Sequence, residues 1–417
     1  MGISMSDELV SVFLVTRHGA RTPLHLIDSL PEIEYKKELL KPFVEAKMVV
    51  KSLDGQKDLT NSISYKDEKY LQRKLKGGAF VGQLTSTGEQ QMFNLGSRLK
   101  KKYIQDMDFL SQKYDPKQIY VRSTHLNRTI NSAKSLLAGM YQSGPKQKLD
   151  EPFLVHTNQL EIDYLYPNLL ECPYIQLKRK LIKKSFRFYA QDWNNQYHCF
   201  VDYLKKKYNF RQHDVSNPLF VYEFLDEVHS RMAHGLEIPL GLSDLIQDAN
   251  RFASIELGIE MMENLGINCG KFINLLKHLL LEVAFKHRNE KSDYYKFNYF
   301  SAHDNTLIAL LIALNKIDES NYVFPSFGSD LVIELWKDSS RYYVKVYFNG
   351  KIIKINERVF DRKKISKIEY NVNMLTSSDL IEEDGRMDLE DFVNILDKYG
   401  IDEKFYYSIC FKFKNEY

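Results

Sequence analysis

Three short clusters in this chain hold residues that could act together on a phosphate ester. The first is Arg17-His18-Gly19-Ala20-Arg21-Thr22-Pro23, with two arginines around one histidine. The second is Ala302-His303-Asp304-Asn305, a histidine beside a carboxylic acid. The third is Arg122-Ser123-Thr124, with Arg128 a little further on. A phosphate monoester carries negative charge on its non-bridging oxygens and has a poor leaving group. Its hydrolysis needs cationic donors, a nucleophile in line and a proton for the departing alcohol. Arginine suits the first task because its planar fork makes paired, charge-assisted bonds to phosphate, each worth roughly 1.5–3 kcal/mol. Neutral imidazole is a competent nucleophile at phosphorus, and His18 is the one the arginines surround. Gly19 permits close backbone approach. His303 adds a donor and Asp304 an acid.

Each cluster follows a strand-like run. Ser11–Thr16, Gln118–Ser123 and Phe297–Ser301 are short, mostly apolar and rich in β-branched or aromatic residues. The second and third runs lead into helical patterns, through about Met140 and over Thr306–Leu314. Repeated strand, polar turn and helix predict an α/β fold: a mostly parallel sheet flanked by helices. Ligands of such sheets sit at the carboxyl ends of the strands, so the three clusters meet if their strands are neighbours. Residues 24–76 read as a surface excursion, and 150–289 as a mostly helical insertion capping an α/β domain built from 1–149 and 290–417. The helix after Gly82-Gln83-Leu84-Thr85 has capping-box spacing at Ser86 and Glu89, with Thr85 an alternative cap, and runs to about Tyr103. Ser329–Leu335 and Tyr342–Phe348 read as a hairpin.

Bulk composition narrows the partners. The chain has 417 residues, 44% hydrophobic and 27% charged, as in an ordinary globular protein. A net charge of +3 gives no global attraction for nucleic acid. No apolar stretch reaches the roughly 20 residues of a membrane span. No secretory signal is visible, which favours a cytoplasmic or organellar setting; Met1–Ser6 also fits the N-myristoylation template. The cysteines Cys172, Cys199, Cys269 and Cys410 match no metal motif, and whether a pair bonds is left open. No metal or cofactor is implied.

Plainer roles compete at several positions. Asp304 or Asn305 could simply cap a helix, which is compatible with anion binding there. Of Arg122 and Arg128, one would bind phosphate and the other form a structural ion pair; Arg122 is taken as the ligand. The basic run Lys178-Arg179-Lys180 with Lys183, Lys184 and Arg187 reads as a solvated helix face, with peripheral contact to an anionic membrane as the alternative. Asn127-Arg128-Thr129 is a formal glycosylation sequon inside the expected site, and Glu382–Asp391 fails the calcium-loop pattern.

The run Arg17-His18-Gly19-Ala20-Arg21-Thr22-Pro23 resembles the RHGxRxP signature of the histidine acid phosphatases, and His303-Asp304 their second motif. Gly82–Thr85 with Gly88, and Arg122-Ser123-Thr124 with Arg128, are similar to two further blocks in the family's order. Within the family, Leu75–Thr85 and the segments around Pro325-Ser326-Phe327 and Tyr347–Lys351 are similar to members acting on lysophosphatidate. The resemblance implies the histidine phosphatase fold and a phosphohistidine intermediate. His18 attacks, Asp304 protonates the leaving oxygen and later serves as base, and Arg17, Arg21, Arg122 and His303 hold the phosphoryl group without a metal. It implies a small phosphomonoester substrate, with a lysophospholipid favoured over a protein, glycan or inositol phosphate. A mutase, or a phospholipid-binding protein without catalysis, are the readings from other classes. Many relatives have Asp where this chain has His125, which bears on leaving-group recognition.

Overall fold

The computed structural model describes residues 7–27, 29–147, 149, 151–167, 172–175, 177, 191–211, 219–262, 264–316, 324–355 and 384–411. Its strands are β1 (Glu8–Arg17), β2 (Met48–Ser52), β3 (Ile119–Ser123), β4 (Phe153–Thr157), β5 (Phe297–Ala302), β6 (Asp330–Lys337), β7 (Tyr342–Phe348), β8 (Lys351–Ile352) and β9 (Met387–Asp388). They form one sheet in the order β2-β4-β3-β5-β1-β6-β7-β8, with β9 against β7. The first five in that order are mutually parallel, and β6 to β9 add an antiparallel wing.

Alternation along β1 explains the layers. Val12 and Leu14 face one side and Phe13 and Val15 the other, all fully buried. Each such side chain contributes about 1.5–3 kcal/mol on leaving water. The helices are α1 (Tyr65–Leu71), α2 (Ser86–Lys100), α3 (Asn127–Tyr141), α4 (Gln191–Tyr208), α5 (Phe220–Ala233), α6 (Ile246–Met262), α7 (Leu265–Arg288), α8 (Asp304–Ala313), α9 (Leu389–Asp397) and α10 (Glu403–Cys410). The layer of α2 and α3 covers Val12 and Leu14; α7, α8 and α9 cover Phe13 and Val15. Helix α8 is apolar nearly all round because Thr306 to Ala313 is buried throughout.

Of residues 150–289, expected as a helical insertion, Phe153–Thr157 is instead a strand of the main sheet, and α7 packs on the main core. Between them α4, α5 and α6 share a separate core of Phe200, Leu204, Phe224 and Phe252, joined by Ile27 and Leu30 from the excursion. The excursion also contributes β2, which extends the sheet beyond β4. Thr85, not Ser86, caps α2 by accepting from Gly88 N. Glu89 does not close a capping box; its Oε2 accepts from Phe43 N at 2.6 Å and Val44 N at 2.9 Å, pinning the excursion. Cys172 and Cys410 form a disulfide that ties α10 to the chain leading into the insertion. Met1–Ser6 and Lys178–Arg187 lie outside the described residues.

Candidate active site

The clusters meet because their strands are neighbours in register. Thr16 and Ser123 both pair with Ser301, and Arg17 pairs with Ala302. The carboxyl ends of β1, β3 and β5 therefore deliver His18, the Ser123-Thr124 turn and His303-Asp304 to one place. His18 N donates to Ala302 O at 3.1 Å, and Gly328 N donates to His18 O at 3.1 Å. The Gly82–Thr85 block has a mechanical role. Thr22 N donates to Gln83 O at 3.0 Å, and Thr85 N donates to Ala20 O at 3.1 Å. Gly19 N donates to Ser132 Oγ at 3.0 Å, and Ala20 N to Gln91 Oε1 at 2.8 Å. Gly19 and Gly88 face each other so closely that a Cβ on either would collide with the other strand of chain, at Gly88 O or Ala20 O.

His18 is buried, and its Nδ1 lies 2.9 Å from Gly19 O. That contact places the ring proton on Nδ1 and leaves the Nε2 lone pair for an electrophile. Burial, then the charges of Arg128, Arg21 and Arg17, hold its pKa well below the usual imidazole range. The imidazole is neutral, as a nucleophile must be. His303 is also pushed well down, by burial first and then by Arg128, Lys66 and the two arginines of the first cluster. Its ring centroid lies 5.6 Å from that of His18, and its Nε2 is 3.0 Å from Thr124 Oγ1.

Asp304 opens α8. Its Oδ2 takes Arg17 Nη2 at 2.9 Å, and its Oδ1 accepts from Asn305 N at 2.8 Å. Arg17 also donates to Pro325 O at 2.7 Å and stacks on Phe327 at 4.3 Å. Arg21 is oriented by Asp226 of α5 at 2.6 Å. Burial alone would raise the Asp226 carboxyl, but Arg21 overrides it and brings the pKa down to about 2. Asp226 Oδ2 further accepts from Leu24 N at 2.7 Å and His25 N at 3.1 Å, so it staples the first cluster to the inserted helices.

The two arginines of the third cluster have different surroundings. Arg122 pairs with buried Asp163 at 3.1 Å and lies over Tyr164 at 4.2 Å. Alternation puts it on the Tyr120 face of β3, toward the α7 layer. Arg128, in the first turn of α3, is buried, and its Nε and Nη1 have no hydrogen-bond partner among the described residues. Its charge is the largest acting on both His18 and His303. It is steadied by Tyr70 of α1 at 5.7 Å. His125 reaches Ser62 Oγ at 2.9 Å and so anchors the excursion. Asp226 and Tyr222 lie on α5 and carry no motif in sequence; only their four-residue spacing marks them as one face.

A buried histidine held neutral beside buried Arg17, Arg21 and Arg128, with a carboxyl at a helix start, is the equipment of a histidine-dependent phosphomonoesterase. The family model described as histidine phosphatase superfamily (branch 2) matches residues 8–162 and 153–349. Lysophosphatidic acid phosphatase type 6 of Homo sapiens is 32% identical over 82% of this chain and 78% of its own length. Prostatic acid phosphatase of Rattus norvegicus is 28% identical over 64% of the chain and 70% of its own. Among solved structures, the apo phytase of Hafnia alvei superposes with a TM-score of 0.59 at 12% identity, covering 96% of this chain and 98% of that one, which is a likeness of fold. The chain belongs to branch 2 of the histidine phosphatase superfamily, and it is an acid phosphatase of the histidine type.

Proposed function

We propose that the enzyme hydrolyses lysophosphatidate or a closely similar lipid phosphate through phospho-His18. The Nε2 lone pair attacks phosphorus as the P–O bond to the leaving group breaks, and the Asp304 carboxyl passes its proton to the departing oxygen. Water then attacks phospho-His18, with Asp304 accepting its proton, and inorganic phosphate leaves. Arg17, Arg21, Arg128 and His303 hold the phosphoryl oxygens. Arg128 takes the place first expected of Arg122, because Arg122 is committed to Asp163 while the Nε and Nη1 of Arg128 have no partner among the described residues. In the resting enzyme Arg17 engages Asp304; an incoming phosphate competes for that guanidinium and frees the carboxyl.

The observation that carries the chemistry is the buried His18, its Nδ1 against Gly19 O and its pKa depressed by burial and then by Arg128, whose Nε and Nη1 have no partner among the described residues. Support for a lipid alcohol as leaving group is the 32% identity to a lysophosphatidic acid phosphatase, together with aromatic rings on the Asp304 side. Phe324 lies 5.4 Å from the Arg17 guanidinium, Tyr222 is 6.2 Å from Phe324, and Phe327 covers Arg17. Phosphate release should be measured from lysophosphatidate, phosphotyrosine, a sugar phosphate and an inositol phosphate, with His18→Ala as the blank. The highest kcat/KM is expected on lysophosphatidate. Preference for a soluble ester would remove the lipid assignment, and no release from any substrate would remove the reaction.

A further inference from the structure

We propose that Tyr222, brought by the inserted helix α5, is a positioning residue that keeps the Asp304 carboxyl aimed at the leaving group. Its hydroxyl lies 3.5 Å from Asp304 Oδ2, the same oxygen that Arg17 engages at 2.9 Å. Once phosphate draws Arg17 away, Tyr222 is the remaining side-chain donor to that oxygen among the described contacts. Contacts of this kind are often long in the empty enzyme and tighten with substrate bound.

The placement is built rather than incidental. Helix α5 has no side-chain cap of its own, and its first-turn N–H groups are orphan donors. Glu256 of α6 reaches across to take two of them, accepting from Val221 N at 3.2 Å and Tyr222 N at 2.8 Å. Glu256 is itself held by the Tyr197 hydroxyl at 2.6 Å. One turn on, Asp226 fixes the same face of α5 to Arg21. Tyr222 thus stands between two anchors, with Phe324 beside its ring. Burial, with Asp304 and Asp226 nearby, raises the phenol far above its usual range, so it stays protonated and acts as a donor.

During phosphoryl transfer the Nε2–P bond forms, the P–O bond breaks and the Asp304 proton moves to the leaving oxygen. Tyr222 keeps its proton throughout and donates to the carboxylate that results. Its value therefore depends on how much the leaving group needs a proton. The inference rests on Asp304 being the acid, and one experiment separates the two claims. First-turnover rates of leaving-group release, which precede hydrolysis of phospho-His18, are compared for wild type, Tyr222→Phe and Asp304→Asn on glycerol 2-phosphate, whose alkoxide must be protonated, and on p-nitrophenyl phosphate, whose phenolate leaves unaided. Tyr222→Phe is expected to lose about tenfold in this first-turnover rate on the alkyl ester, as for a lost hydrogen bond to a charged group. The substrate concentration that gives half of its maximal first-turnover rate should stay within about twofold, and its first-turnover rate on the aryl ester should be nearly unchanged. Asp304→Asn should show the same contrast, more strongly. Equal losses on both esters, or no loss on either, would overturn the role of Tyr222 while leaving Asp304 in place. A loss in Asp304→Asn that is the same for both esters would overturn the acid assignment, and Tyr222 with it.

Discussion

At the scale of single residues the account turns on which cations are free. Arg17, Arg21 and Arg122 each have a carboxylate partner within about one hydrogen bond, whereas Arg128 has none among the described residues. Arg128→Ala is therefore predicted to lower kcat/KM by about 10²–10³, as for loss of a transition-state donor. Arg122→Ala strands buried Asp163, and the expected outcome is a loss of about 3–5 kcal/mol in stability. Thermal denaturation and turnover of both variants check this. A folded Arg122→Ala that loses turnover while Arg128→Ala keeps it would reverse the assignment. Sequence favoured Arg122 because it ends a strand, the usual place for a ligand. It gave no view of Asp163, which lies 41 residues away and claims that side chain. His18, His303 and Asp304 were legible because their chemistry is written in adjacent residues.

At the scale of elements, the site is held by close contact between the β1 turn and the start of α2. Gly19 and Gly88 meet backbone to backbone, and neither has room for a methyl group. Gly88→Ala should push the turn away from α2 and misplace His18, with a loss on the order of 10² in kcat, since small displacements of a catalytic group have that effect. Circular dichroism and turnover measured together would show it; full activity in a folded Gly88→Ala would mean the contact does not set the site. The three motif-bearing strands could be read directly because each is a short apolar run before a polar cluster. Strand β2 could not. Met48–Ser52 pairs only with β4 in the sheet, about a hundred residues on, and its own pattern is half polar. The face of α5 that carries Tyr222 and Asp226 was equally hidden. Amphipathic spacing says that one face is buried, not that it is buried against Arg21 and Asp304.

The whole molecule stores several histidines in neutral form, and this gives stability a pH slope. His18 and His303 are held well below the usual range by burial and arginine charge, and His229 is lowered to about 4 by burial and then Arg17. Below about pH 6.5 the unfolded chain binds protons on these residues that the folded chain refuses, so the stability they confer is complete above that pH and is lost as pH falls. Glu256 works the other way: burial raises it to about 8, so its contribution is present at low pH and lost as pH rises toward 8. Burial also lowers His156 and His234, and it raises Asp163 and Asp330 as it does Glu256; five lowered histidines against three raised carboxyls predict a lower Tm at pH 5 than at pH 7, partly restored by inorganic phosphate bound at the cationic site. A Tm that is flat or higher at pH 5 would contradict the buried neutral histidines. The same lowering keeps His18 unprotonated in mild acid, where an acid phosphatase works. At this scale the sheet draws its motif-bearing strands from both ends of the chain, as the motifs led one to expect; that α7 packs on the main core could not be read, since α7 is as helical as α4 to α6 and only packing tells them apart.

The most direct test of the central claim is to trap the covalent intermediate. Asp304→Ala, given p-nitrophenyl phosphate and quenched with denaturant under alkaline conditions, should release a burst of nitrophenol close to one per active site and carry phosphate on the peptide that contains His18. His18→Ala should show neither the burst nor the label. Phosphate found on another residue, or turnover surviving in His18→Ala, would contradict the mechanism.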